Sequence, residues 1–244
     1  MGSESYLGQP SCLPTPVMET PAPSTPSLPR RILVKDPAPL CRMAVSKLIQ
    51  QEPDLSLVGA FASAAEMLQA LESVPAEMII LELSDQAGCG FDSIRDIRLR
   101  HPKIRILVLS SRLELQYAER ALQGGANGFV SKSEGLEEIL VAIRKVASGE
   151  TYCSLALSSQ LALKYLGAGP AEADSPLEGL SNREFQVLRL IGSGQSTREI
   201  AESLGISVKT VETYINHLKE KLGVHSGVAL TRKAIQWTER GIFQ

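Results

Sequence analysis

The chain has too few cysteines, too few histidines and too little uninterrupted apolar sequence for several whole classes of protein. Its four cysteines, Cys12, Cys41, Cys89 and Cys153, are scattered with no C-x-x-C pair. That spacing argues against a zinc site or a disulfide framework and for reduced thiols in a cytosol. The three histidines, His101, His217 and His225, stand alone and fit no metal-ligand spacing. No apolar run approaches the roughly 18 to 20 residues that span a bilayer. The N-terminus also lacks the basic patch and apolar core of a secretory signal. No membrane association is expected, and the expected location is cytoplasmic. A large charge excess is missing too: the net charge is −2, so the whole chain does not announce a nucleic-acid partner. The charge is unevenly spread, however. From Leu177 to Gln244 there are nine Lys/Arg against seven Asp/Glu, a net of +2, whereas residues 30–166 balance at sixteen of each. That is permissive of DNA binding and no more.

The 244 residues suffice for one large domain or two small ones. Residues 1–29 hold half of the prolines, with serine and threonine between them ("PSCLPTPVMETPAPSTPSLP"), a composition expected to stay disordered. From Arg31 the pattern alternates. Strand-like "RILVK", "LSLVGAF", "MIILEL", "IRILVLS" and "GFVSK" are each followed by a helical stretch, and Ser63 with Glu66 forms a capping box before the second. Five strand–helix units predict an α/β domain over 30–149, its parallel sheet covered by helices on both faces. Residues 150–179 read as a further helix, "SLALSSQLALKYL", and a Gly/Pro/acid-rich linker. Residues 180–244 carry no strand pattern and read as four short helices.

The helical segment is rich in cap signals. Ser181 with Glu184 and Ser196 with Glu199 match the S-x-x-E box, Gly205 breaks the chain, and Ser207 can cap the next helix. Helix, glycine turn, helix is the helix-turn-helix arrangement, whose second helix enters the major groove. On that helix Val211, Ile215, Leu218 and Leu222 form the apolar stripe, leaving Lys209, Thr210, Glu212, Thr213, Asn216 and Lys219 outside. Thr213 and Asn216 are placed to reach base edges, and Lys209, Thr210 and Lys219 to reach phosphates. The bland alternative is a small bundle with a solvated charged face.

The stretch "LSNREFQVLRLIGSGQSTREIAESLGISVKTVETYINHLKEKLGV" resembles the LuxR-type (NarL/FixJ) DNA-binding domain, with many positions agreeing at fixed spacing. Thr197 replaces the usual asparagine, and Tyr214 stands where histidine is common. The resemblance implies contacts to double-stranded promoter DNA, with Ser196 and Thr197 among the contacting residues. It also implies homodimerisation through the last helix, around Leu230, Ala234 and Trp237.

In an open parallel sheet, ligands sit beyond the carboxyl ends of the strands where strand order reverses. For a flavodoxin-like 2-1-3-4-5 order that point brings together Asp36 and Glu82, with Ser110 and Lys132 on the neighbouring strands. This half resembles a response-regulator receiver domain. Glu82 occupies the phosphoacceptor place, Ser110 is the switch hydroxyl, Phe129 the switch aromatic and Lys132 the lysine. Two departures stand out. Pro37 fills the second acidic position, and Glu82 is one methylene longer than aspartate. The family's Mg²⁺ site needs hard oxygen ligands, and displacing a nucleophile by about 1 Å can cost a hundredfold in rate. No metal or other cofactor is expected. Glu82 is expected either to form a strut to Lys132 or to stand where phosphate oxygens would, as a decoy rather than a nucleophile.

The fold expected is therefore a (βα)5 receiver with an all-α helix-turn-helix domain. The function expected is phosphorylation-independent transcriptional regulation, by a homodimer that also meets RNA polymerase. Three rivals remain: a conventional phosphorylation-switched regulator, a protein–protein adaptor favoured by the acidic Glu212, and a small phosphotransferase, for which neither metal site nor nucleophile is supplied cleanly.

Overall fold

In the computed structural model the described residues are 28–85, 88–111, 115–166, 177 and 179–240. The expected proline-rich tail falls outside them except for Leu28 and Pro29, and most of the expected linker also lies outside.

Alternating short apolar runs and amphipathic helices build the first half. The order is β1 (Arg30–Lys35), α1 (Pro39–Gln50), β2 (Leu55–Phe61), α2 (Ala64–Leu71) and β3 (Met78–Leu81). A two-stranded antiparallel hairpin comes next, β4 (Ser84–Asp85) and β5 (Gly88–Cys89), and leads into α3 (Gly90–Arg100). Then come β6 (Arg105–Ser110), α4 (Leu115–Gln123), β7 (Gly128–Ser131), α5 (Leu136–Ser148), β8 (Tyr152–Cys153) and α6 (Leu155–Tyr165). The main sheet is parallel in the order β2-β1-β3-β6-β7-β8, so the reversal of direction falls between β1 and β3 as expected. The five expected strands are joined by a sixth, β8, within the stretch read as helix and linker. Gly149, in the left-handed region at φ 109°, ends α5 and turns the chain back to the sheet edge.

Side chains on successive strand positions point to opposite faces, and both faces are covered. Ile32 and Val34 pack with Val45 and Ile49 of α1 and with Ile143 and Val146 of α5. Leu33, Ile79 and Val108 pack on the other face with Met67 of α2, Ile94 of α3 and Ala118 of α4. That second cluster continues without a break into the C-terminal helices.

Those helices are α7 (Asn182–Gly192), α8 (Thr197–Leu204), α9 (Val208–Lys221) and α10 (Gly227–Glu239). The cap signals form as the sequence predicts. Ser181–Glu184 and Ser196–Glu199 are reciprocal boxes, Gly205 is left-handed at φ 63°, and Ser207 accepts from the Thr210 N–H. Val211 and Leu218 of α9 are buried against α7, α8 and α10.

One side chain pins the halves together. The Arg120 guanidinium on α4 donates to the carbonyls of Leu177 (2.7 Å) and Leu180 (2.8 Å) and to Asn182 Oδ1 (3.1 Å). It also lies 4.6 Å from the centroid of the Phe185 ring. Phe185 is buried edge-on against Tyr117, with centroids 5.4 Å apart, and Tyr117 in turn packs on Phe91. Arg183 adds an ion pair to Asp92 at 3.1 Å.

Candidate functional site

The carboxyl ends of β1, β3, β6 and β7 bring together the residues expected at the switch point. Asp36 leaves β1 held from both sides. Its N–H donates to the Phe61 carbonyl, and its Oδ1 accepts from the Ala38 N–H at 2.8 Å, a local turn that leads into α1 with Pro39 at the first helical position. Its Oδ2 lies 2.5 Å from Lys132 Nζ. Glu82, at the mouth of β3, places Oε2 2.6 Å from the same ammonium. The Glu82 carboxylate also accepts from Ser110 Oγ at Oε1 and from the Ser111 N–H at Oε2, both at 3.3 Å. Asp36, Glu82 and Ser110 are buried, and Lys132 is largely so. Burial by itself disfavours the Lys132 ammonium, but hydrogen bonds to Asp36 and Glu82 outweigh it and hold the pKa above the ordinary lysine value. Phe129 on β7 points inward, fully buried among the side chains of α3, α4 and β6.

Lys35 belongs to this pocket too, although its place at the end of β1 carries only a weak sign of a role in the sequence. Its side chain is fully buried and its Nζ donates to the Glu82 carbonyl at 3.0 Å, while its own carbonyl accepts the Glu82 N–H. The signal was a lysine closing an otherwise apolar buried strand, since lysine is almost never fully buried without a partner. Cys89 lies on β5, and its side chain is outside the described residues.

On the helical domain, Lys209, Glu212, Thr213 and Asn216 are exposed on one face of α9, with Thr210 and Lys219 partly exposed beside them. Three hydroxyls on this surface are already engaged. Ser196 Oγ donates to Glu199, Thr210 Oγ1 pairs with Ser207 Oγ at 2.8 Å, and Thr213 Oγ1 donates to the Lys209 carbonyl at 3.0 Å. Thr197 is partly exposed at the start of α8. Behind the face, Glu184 is buried and accepts from Lys221 Nζ at 2.7 Å. Burial raises the Glu184 pKa, but the bonds from Lys221 and the Ser181 cap prevail and leave it below the ordinary value.

The expected dimerisation residues do not face outward. Leu230, Ala234 and Trp237 are 1%, 0% and 9% exposed and pack into the helical domain's own core. They hold α10 against α7 and α9. The solvent side of α10 is instead Val228, Thr231, Arg232, Ile235, Gln236 and Glu239, which line a shallow surface depression.

Comparison with known proteins bears on both halves. Residues 32–144 match the family described as response regulator receiver domain, and residues 178–234 the family described as bacterial regulatory proteins, luxR family. The Fimbriae Z protein of Escherichia coli (strain K12) is 34% identical over 203 residues, 83% of this chain and 94% of that protein. The response regulator GacA of Pseudomonas viridiflava is 32% identical over 206 residues, 84% of this chain and 95% of its own length. RcsB from Salmonella enterica serovar Typhimurium, solved bound to promoter rprA in the presence of phosphomimetic BeF3−, superposes with a TM-score of 0.62 at 25% identity. That superposition covers 84% of this chain and 97% of RcsB.

Proposed function

The chain belongs to the LuxR-type response regulators, DNA-binding transcription factors that are not enzymes, and we propose that it acts on its promoters without aspartyl phosphorylation. The observation that carries this reading is the Glu82 carboxylate, held by Ser110 Oγ, the Ser111 N–H and Lys132 Nζ together. A phosphorylated acceptor would offer its oxygens to such a hydroxyl and ammonium; here the longer carboxylate already does so. The inward Phe129 is consistent with the hydroxyl being drawn to the acid and the space beneath being filled.

The donor set does not suit the Mg²⁺ that receiver chemistry uses. That ion demands near-octahedral oxygen ligation. Asp36 spends one oxygen on the Ala38 N–H and the other on Lys132, and both Glu82 oxygens are engaged. Pro37 contributes no side-chain oxygen.

In this reading the receiver half is a standing scaffold, and the helical half docks on promoter DNA as a homodimer in the cytoplasm, touching RNA polymerase from there. Lys209, Thr210 and Lys219 meet phosphates with Ser196 and Thr197, while Glu212, Thr213 and Asn216 face base edges. The solvent side of α10 meets the second copy. RcsB, bound to promoter rprA in its solved complex, supports the DNA assignment.

The test measures binding to a genomic fragment pool for wild type and Glu82→Ala, with and without a small phosphodonor and Mg²⁺. Wild type is expected to bind specifically without the donor and to be unchanged by it. Glu82→Ala, if folded, is expected to lose that binding. Wild-type binding that appears only after donor treatment sinks the proposal.

A further inference from the structure

The exposed stripe of α9 has side chains of unusually restricted chemistry, and their restriction goes beyond the DNA-binding reading on which it rests. Glu212 is a carboxylate and only accepts hydrogen bonds. In the major groove guanine offers two acceptors, thymine one acceptor and a methyl, and adenine an acceptor beside its donor; cytosine presents the N4 amine alone. An outward carboxylate is therefore matched best by cytosine, less well by adenine, whose donor lies beside an acceptor, and is repelled by guanine and thymine. Thr213, the next residue, has its hydroxyl committed to the Lys209 carbonyl at 3.0 Å, so the methyl is its outward group. A methyl matches the C5-methyl of thymine. Asn216 is exposed one helical turn beyond Glu212, and its amide carries the donor and acceptor that match adenine N6 and N7. Four helical residues advance about 6 Å, close to two base steps of about 3.4 Å.

We infer that the half-site gripped by α9 carries a cytosine facing Glu212, a thymine methyl against Thr213 and an adenine against Asn216, the cytosine and adenine within about two base steps of one another. Lys209, one turn before Thr213, is three residues from Glu212 and offsets the repulsion between its carboxylate and the flanking phosphates. The three readers are specificity-determining. They choose the sequence, while the lysines supply salt-sensitive affinity.

Enrichment of full-length protein on randomised double-stranded DNA tests this, with wild type, Glu212→Gln, Thr213→Ser, Thr213→Val and Asn216→Ala compared. All three positions are exposed, and matching thermal unfolding confirms that the variants fold. Wild type is expected to enrich a half-site holding cytosine and adenine at the stated separation. Glu212→Gln is expected to convert the cytosine alone to adenine, by roughly tenfold in preference, because glutamine adds the donor that adenine N7 requires. Thr213→Ser is expected to erase the thymine preference and Thr213→Val to keep it, which separates the methyl from the hydroxyl. Asn216→Ala is expected to flatten only the adenine position. An enriched motif that lacks cytosine, or one that Glu212→Gln leaves unchanged, overturns the inference while leaving DNA binding intact. Salt-sensitive binding without any enriched motif overturns it as well. Absence of binding to any DNA sinks the inference and the docking role of α9 together.

Discussion

The Lys132 ammonium lies 2.6 Å from the Glu82 carboxylate, and that pair bridges the ends of β3 and β7 across β6. Removing one partner leaves buried charge behind. Lys132→Met is expected to destabilise the fold by roughly 3 kcal/mol in urea unfolding, and adding Glu82→Gln to recover part of the loss. The pH profile stems from the raised lysine pKa. The lysine's contribution is fully present below the unfolded-state pKa and lost as pH rises through the higher folded one. Wild type should therefore lose stability on the alkaline side, above roughly pH 10, and Lys132→Met should lose less there. Equal alkaline slopes in the two proteins would refute the assignment.

Glu184 behaves in the opposite sense. Its pKa is depressed in the folded state, so its contribution is present above the ordinary glutamate value and lost as pH falls through the folded one. Thermal melting between neutral pH and about pH 3 should show stability falling below roughly pH 4.3. Glu184→Gln is expected to be less stable at neutral pH and less sensitive to acid. Lys221→Met should share both properties if the pair at 2.7 Å is the cause.

Arg120 tests the joint between the halves. Arg120→Ala removes the hydrogen bonds to Leu177, Leu180 and Asn182 and the cover over Phe185, at a cost of about 2 kcal/mol or more. Hydrogen exchange should rise in residues 177–185, with the protection of α9 unchanged. Unaltered exchange at Leu180 and Asn182 would mean that the joint does not depend on this residue.

The two sides of α10 should separate stability from assembly. Leu230→Ala is expected to cost about 2–5 kcal/mol and to unfold the helical domain, since Leu230 is in its core. Val228→Asp, at a position 73% exposed, is expected to leave the melting temperature within about 1 °C. It should nevertheless weaken self-association in sedimentation experiments. A loss of stability in Val228→Asp would show that this side is not free.

Much of this architecture is legible in the residues because local signals agree with the fold. Runs such as "MIIL" read as buried parallel strands, and the Ser-x-x-Glu boxes at Ser63, Ser181 and Ser196 start helices where they fall. The convergence of Asp36, Glu82, Ser110 and Lys132 came from strand ends and sheet order. What escaped has a different physical character. β8 and the β4–β5 hairpin are two residues per strand, too short for any period, and exist because a neighbour supplies their hydrogen bonds. Phe185 lies among polar residues in sequence and is buried only because Tyr117, sixty-eight positions earlier, faces it. The spacing of Leu230, Ala234 and Trp237 announces burial, but the same spacing serves an internal core or a partner, and only packing decides between them.

Two of the groups that accept from Arg120 are main-chain carbonyls, at Leu177 and Leu180. Such acceptors exist whatever the side chains are, so this socket is modular. A chimaera that exchanges the DNA-reading half for that of another regulator should be spliced ahead of Leu177, which keeps those carbonyls on the donor's side. Its fit would then depend on the side chains at 182, 183 and 185, and most on the last: an aromatic ring there completes the aromatic stack, whereas a charged side chain would be forced against Tyr117.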